Sequence, residues 1–208
     1  MTFSTALRAL YPSPPDRYGG YSQRVAAKSD SSWSLTNTDG ELTIRTGVAG
    51  RAAKMGHRLT LRMDSWRIEV TWAGKTPVAA ALVVDVDSLQ VISGEGGVTP
   101  LAGPEKAIAR GNALKTLDAK SFPTIEFHPD SIESTGEGYR LSGPLSIHGV
   151  TRPTTVDVTM TQDGDDWHLT CEATVRQTDF KVKPFSMMMG TMKVDDAVTV
   201  ALDARHLG

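Results

Sequence analysis

The sequence predicts an all-β chain that closes as an extended antiparallel β-barrel of about eight strands with one associated α-helix. Three observations predict it. Short runs with an apolar residue at every second position recur from Glu41 to Leu202, which is the period of a strand with one buried face. Corners rich in Gly and Asp separate the runs, as at Gly136-Glu137-Gly138 and Asp163-Gly164-Asp165-Asp166, and corners of this kind join consecutive antiparallel strands. Only one segment has a helix start and a helical stripe. There Gly103-Pro104-Glu105 places a proline and an acid in the first turn, and Ala107, Ile108, Leu114 and Leu117 follow as a rough apolar face. A barrel of eight or nine strands has room inside for one small ligand.

In chain order, residues 1–38 read as an N-terminal tail or lid, and residues 39–208 as the barrel domain. The tail holds Phe3, Leu7 and Leu10 before Pro12, so its sharper reading is a lid over a barrel mouth; its plainer reading is a flexible tail. Trp33 and Leu35 can begin a short strand before the Asp39-Gly40 turn. Glu41–Arg45 is the first secure strand, and 47–56 has room for one helical turn. His57, Leu59, Leu61 and Met63 share one face of the next run, with Arg58, Thr60 and Arg62 on the other. The apolar set then moves to the even positions Trp66, Ile68, Val70 and Trp72. Alternation changes parity only through an extra residue, so Asp64-Ser65 is predicted to be a bulge or bend.

Val78–Val86 is apolar on both parities, which predicts one face toward the lumen and the other under the nearby helix or a loop. Gly94–Gly97 reads as a flexible loop. Thr124–Ile132, Tyr139–Ile147 and a run carrying Val156, Val158 and Met160 form a central meander, in which Gly149 breaks the ladder and Pro153 lacks a strand donor. Leu169–Val175 and Lys193–Leu202 complete the sheet.

Size and composition narrow the function. A length of 208 residues fits one domain, and 39% hydrophobic residues suffice for a core. A net charge of −2 gives no basic field for nucleic acid or for an anionic membrane. No apolar run approaches the roughly 18 residues of a membrane span, so stable membrane insertion is not expected. The opening MTFSTALRALYPSPP has no basic start and no long apolar stretch, which leads to an expected cytoplasmic location. The single Cys171 excludes an intramolecular disulfide. It shares parity with Leu169, Ala173 and Val175, the setting of a small buried hydrophobe rather than a nucleophile.

The chemistry-bearing patterns are absent: no Gly-x-Ser-x-Gly elbow, no Walker loop and no dinucleotide fingerprint. The five histidines, His57, His128, His148, His168 and His206, lack metal spacing, so no metal, cofactor or catalytic residue is expected. His148 is expected to face outward as a turn residue. Arg58 with Arg62, Lys181 with Lys183, and Lys106 with Arg110 read as solvated surface pairs.

The meander also carries a recognisable wording. Phe122-Pro123-Thr124-Ile125-Glu126-Phe127, followed by Gly143-Pro144-Leu145-Ser146-Ile147-His148-Gly149-Val150-Thr151-Arg152-Pro153, resembles the signature of the YceI-like family. The resemblance runs from about Glu41 to Leu202. It implies a lipocalin-like barrel around a long apolar pocket for a polyisoprenoid or similar lipid, with transport or binding rather than catalysis as the role.

The expected lumen residues follow from parity within each strand: His57, Leu59, Leu61, Met63, Ile125, Phe127, Leu145 and Ile147, with Phe180 counted beside them. His57 has two readings: a strand-start histidine satisfied by a backbone carbonyl, or a polar anchor for a ligand headgroup. Phe185, Met187 and Met188, with Met189 and Met192, form an unusually soft apolar segment bracketed by Pro184 and Gly190, and this suits a rim at the barrel entrance. Two alternatives come from other classes. One is an enzyme acting on the head of such a lipid with His57 as acid or base. The other is a structural or stress module whose barrel is filled by Trp66, Phe127 and Phe180. Oligomeric state stays open at this level, a homodimer included.

Overall fold

The computed structural model describes residues 31–208, apart from the side chain of Met188. The lid reading of Phe3, Leu7 and Leu10 therefore lies outside the described residues. Thirteen strand segments form one antiparallel sheet. In chain order they are β1 (Ser31–Thr36), β2 (Gly40–Ala49), β3 (His57–Met63), β4 (Trp66–Ala73), β5 (Thr76–Asp85), β6 (Leu89–Gly96), β7 (Thr124–Phe127), β8 (Ser131–Ser134), β9 (Gly138–Ile147), β10 (Val150–Asp163), β11 (Asp166–Arg176), β12 (Ser186–Met187) and β13 (Met192–His206). One helix, α1 (Gly103–Thr116), lies between β6 and β7.

Thirteen segments exceed the expected eight or so because three long strands bend and because β8 and β12 are short segments off the main path, paired only with β9 and β13 respectively. β3 pairs with β2 and β6, whereas β4 pairs with β1 and β5. The bend falls at Asp64-Ser65, where the apolar parity flips. Backbone bonds from Asp64 N–H to the Ser88 carbonyl and from Asp85 N–H to the Ser65 carbonyl carry the ladder across it. β3–β4 and β5–β6 are thus the two arms of one long bent hairpin, and β1–β2 is a third bent strand beside it. Around the circuit, β13 pairs β2, β5 pairs β7, and β7, β9, β10, β11 and β13 follow in succession. Counted by chain rather than by segment, about eight strands close the barrel.

Several local expectations change. Thr124–Ile132 is two strands, β7 and β8, because His128-Pro129-Asp130 interrupts it where the Gly143 backbone presses against Pro129. β10 runs unbroken through Pro153, and the turn before it is His148-Gly149, both with positive φ, as a two-residue hairpin turn requires. The Gly94–Gly96 stretch is strand rather than loop. Leu101, His57 and Leu59 crowd Gly94 so closely that a side chain there would collide with them.

The helix covers β6, not β5. Val78 and Val83 on the outer face of β5 stay exposed. The helix's inner face is Ala109, Ala113 and Leu114, continued by Leu117, while Ile108 is 64% exposed. Lys106 and Arg110 are not idle surface residues either. The Lys106 ammonium donates to the Ile92 carbonyl at 2.7 Å, and Arg110 Nε donates to the Leu89 carbonyl at 2.7 Å. These bonds occupy carbonyls on the edge of β6 that has no strand neighbour, which is how an edge is made safe.

Candidate ligand-binding lumen

The inward faces of the strands do not meet. Between them lies a cavity of about 850 Å³, at the upper end of the range for pockets that enclose a small ligand, roughly 300–1,000 Å³. At one end Trp33 stacks on His206, with centroids 4.2 Å apart, and packs against Trp72 and Trp167. Below this plug the buried core gathers Leu35, Met63, Trp66, Leu89, Leu169 and Ala204. A second core group, Phe127, Leu145, Phe180 and Val182, fills the side beneath β7 and β9. Trp66, Phe127 and Phe180 are all buried, yet the lumen remains open. The filled-barrel alternative does not hold, because these rings pack into the wall instead of across it.

The structure places His57, Leu59, Leu61 and Met63 of β3 along the cavity wall, with Ile125 and Phe127 of β7 and Leu145 and Ile147 of β9. Phe180, Phe185 and Met187 also line it; the side chain of Met188 is outside the described residues. Met187 ends the short β12 and stays half exposed, while Met189 points fully away in a left-handed backbone conformation. Met192 at the start of β13 reaches the cavity. The methionine run therefore divides between lumen and solvent, as three successive residues must. His148 is the turn residue expected, but its ring packs on Phe122 at 4.6 Å instead of pointing into solvent, because the turn folds back over the Phe122 ring.

His57 Nε2 lies 2.7 Å from the Thr99 carbonyl oxygen, so the nitrogen carries the proton it donates there. Its ring also sits against Gly97. The side chain pins the 97–99 loop to the start of β3, matching the satisfied-histidine reading. No group of three His, Cys, Asp or Glu residues able to hold a metal occurs among the described residues. The charged residues that reach the cavity, Glu105, Asp157, Glu172 and Lys193, are all exposed and stand at its rims. Cys171 is half-buried on the lumen side of β11, and burial pushes its thiol up from its ordinary value.

One part of the site was not foreseen. β13 carries a bulge between Val194 and Val198. Onto that bulge docks the 3-10 turn Gln177–Phe180: Gln177 donates to the Asp195 carbonyl, and Asp196 accepts from both the backbone N–H and the hydroxyl of Thr178. Those two bonds hold the Asp196 carboxyl below its ordinary value. The sequence signal was available in Asp195-Asp196, two acids interrupting the Val194/Val198 alternation.

A family model described as a YceI-like domain matches residues 33–206. The chain belongs to the YceI-like family. A Pseudomonas putida (strain W619) protein of the UPF0312 group is 29% identical over 135 residues, covering 62% of this chain and 66% of the relative, just under two thirds of its length. A UPF0312 protein of Yersinia pestis (strain Pestoides F) is 27% identical over 96 residues, covering 46% of this chain and 45% of that one. Among solved structures, Burkholderia cenocepacia BcnA superposes with a TM-score of 0.62 at 17% identity, covering 82% of this chain and 98% of BcnA, a likeness of fold. This YceI-like chain has no helix long and apolar enough to cross a membrane among the described residues.

Proposed function

We propose that this YceI-like barrel binds and carries one long apolar chain, an isoprenoid or fatty-acyl lipid, without chemically changing it. The observation that supports this reading most strongly is the open lumen of about 850 Å³ with an apolar wall and its charges confined to the rims. Each buried CH₂ contributes about 0.8 kcal/mol. Ten would contribute roughly 8 kcal/mol, or about micromolar affinity before ordering costs are subtracted. Such a ligand needs no charged anchor. A cytoplasmic setting is part of the proposal, and cell fractionation checks it.

The enzymatic alternative asks His57 to act as acid or base beside a second polar group. His57 Nε2 is already committed to the Thr99 carbonyl, which supports a carrier over a catalyst. The test is titration with a fluorescent long-chain polyene fatty acid and a fluorescent prenol, with mass analysis of each after incubation. Saturable one-to-one binding with unchanged ligand mass is expected. A new product mass that vanishes in His57→Ala would overturn the non-enzymatic reading, and absence of any binding would overturn the carrier reading.

A further inference from the structure

β10 and β11 leave their shared hairpin as neighbours and then part. Ladder pairs join them from Asp163↔Asp166 to Val158↔Cys171 and stop there. Beyond that point Val150–Asp157 pairs only with β9, and Glu172–Arg176 pairs only with β13. Two strand edges thus face each other without a ladder, each presenting unpaired backbone N–H and C=O groups. The gap narrows to an apex at Val158 and Cys171. Its base is the turn Gln177–Phe180, tied across to β10 by Arg152 Nε donating to the Asp179 carbonyl at 2.9 Å.

The cavity reaches through this gap. It touches Thr155, Asp157, Glu172 and Thr174, which alternate with the lumen-facing residues and are exposed on the outside of the wall. A lumen meets outward-facing residues only by passing between the strands. The opening is also written into the chain. Pro153 lies in the unpaired half of β10, opposite Pro144 of β9, and proline is confined to edges because it has no donor for a second ladder. The β13 bulge, by seating the 177–180 turn, fixes the far end of β11.

The rim has a definite chemistry. Arg140 grips Asp157 through two bonds of 2.8 and 2.9 Å, and Arg45 meets Glu172 at 2.6 Å. At the base Arg152 is engaged with the Asp179 carbonyl, and Arg176 lies in the field of Asp196. Thr155 Oγ1 is likewise paired with Ser142 Oγ at 2.8 Å, so what remains for a ligand is the Thr174 hydroxyl and strand-edge backbone groups.

Building on the carrier reading above, we propose that this side window is the passage through which the apolar chain loads and leaves, and the seat of its polar end. The head it takes is uncharged and hydrogen-bonding, a hydroxyl or carbonyl, in preference to a diphosphate.

The test is a staple across the window. Continuing the Val158↔Cys171 register by three residues sets Thr155 opposite Thr174. Thr155→Cys and Thr174→Cys in a Cys171→Ser background are joined with a short bis-maleimide, and circular dichroism confirms the fold. Stopped-flow mixing with a fluorescent long-chain alcohol should show loading and release both slowed about tenfold or more by the staple, relative to the same double variant without it. The native protein should bind the matching diphosphate ester about tenfold more weakly than the alcohol. Unchanged rates in the stapled protein overturn the passage, and equal binding of the diphosphate overturns the head preference. If neither probe binds the native protein, the carrier reading fails, and the window is then judged on Cys171 alone. Its alkylation by bromobimane at alkaline pH should slow about tenfold in Thr155→Trp/Thr174→Trp, scaling with access to the thiolate; an unaltered alkylation rate would mean no window exists.

Discussion

His57 shows how a single hydrogen bond assigns a residue's work. Its parity faces the cavity, but its Nε2 donates to the Thr99 carbonyl, so it restrains the 97–99 loop instead of waiting for a head group. His57→Ala should weaken binding of a polar-headed lipid and of a bare hydrocarbon equally, and lower stability by about 1 kcal/mol, the net worth of one such bond. Parallel titrations and denaturant unfolding check both; a selective loss for the polar-headed lipid would restore the anchor role. Asp196 gives a pH prediction. Its folded value is depressed by the Thr178 bonds, so the stability it contributes is fully present above the unfolded carboxylate value of about 3.9 and is lost as pH falls through the folded value. Melting temperature followed across that acid range should fall more steeply in the native protein than in Asp196→Ala. The lumen set was readable in the sequence because strand alternation is a local rule. The bonds of His57 and Asp196 were not, since their partners lie far away in the chain or across a bulge.

At the scale of elements, the decisive event is bending. Asp64-Ser65 was legible as a parity flip, and the flip is where β3 hands over to β4. What could not be read was that three strands bend together, because the ladder across the bend joins residues roughly twenty or more positions apart. The helix start was legible from Pro104, but its inner face was not. Ala109 and Ala113 are small and pack on the core, while the larger Ile108 borders the cavity and stays 64% exposed, so hydrophobicity alone does not rank these positions by burial. Arg110 straps the helix to the β6 edge. Arg110→Met should cost about 1 kcal/mol once its partial exposure is allowed for. The same change should speed amide exchange in Leu89–Gly96 ahead of the rest of the sheet; uniform exchange throughout would show that the strap is idle. Met187 and Met192 border the lumen as soft filler. Replacing both with serine should raise the lipid off-rate severalfold with loading unchanged, since weaker packing around a bound ligand shows mainly in its release. A large drop in melting temperature with an unaltered off-rate would assign them to the core.

For the whole molecule, the claim is that a barrel wall of bent strands encloses a space the protein does not fill. An aromatic plug of Trp33, Trp72, Trp167 and His206 closes one end, the helix seals the free edge of β6, and β10 and β11 stand apart on the side. The family wording around Gly143–Pro153 pointed to this architecture by resemblance, and it spells the β9–β10 hairpin, whose β10 edge parts from β11 beyond Val158. The volume inside was not legible, since it depends on how every strand bends. The measurement that bears on it most directly is native mass spectrometry of the protein purified from its own host, followed by solvent extraction of whatever it holds. The account predicts one long apolar molecule per chain, released intact and able to rebind. The mass of the bare chain alone, both as purified and after saturation with long-chain lipids, would contradict it.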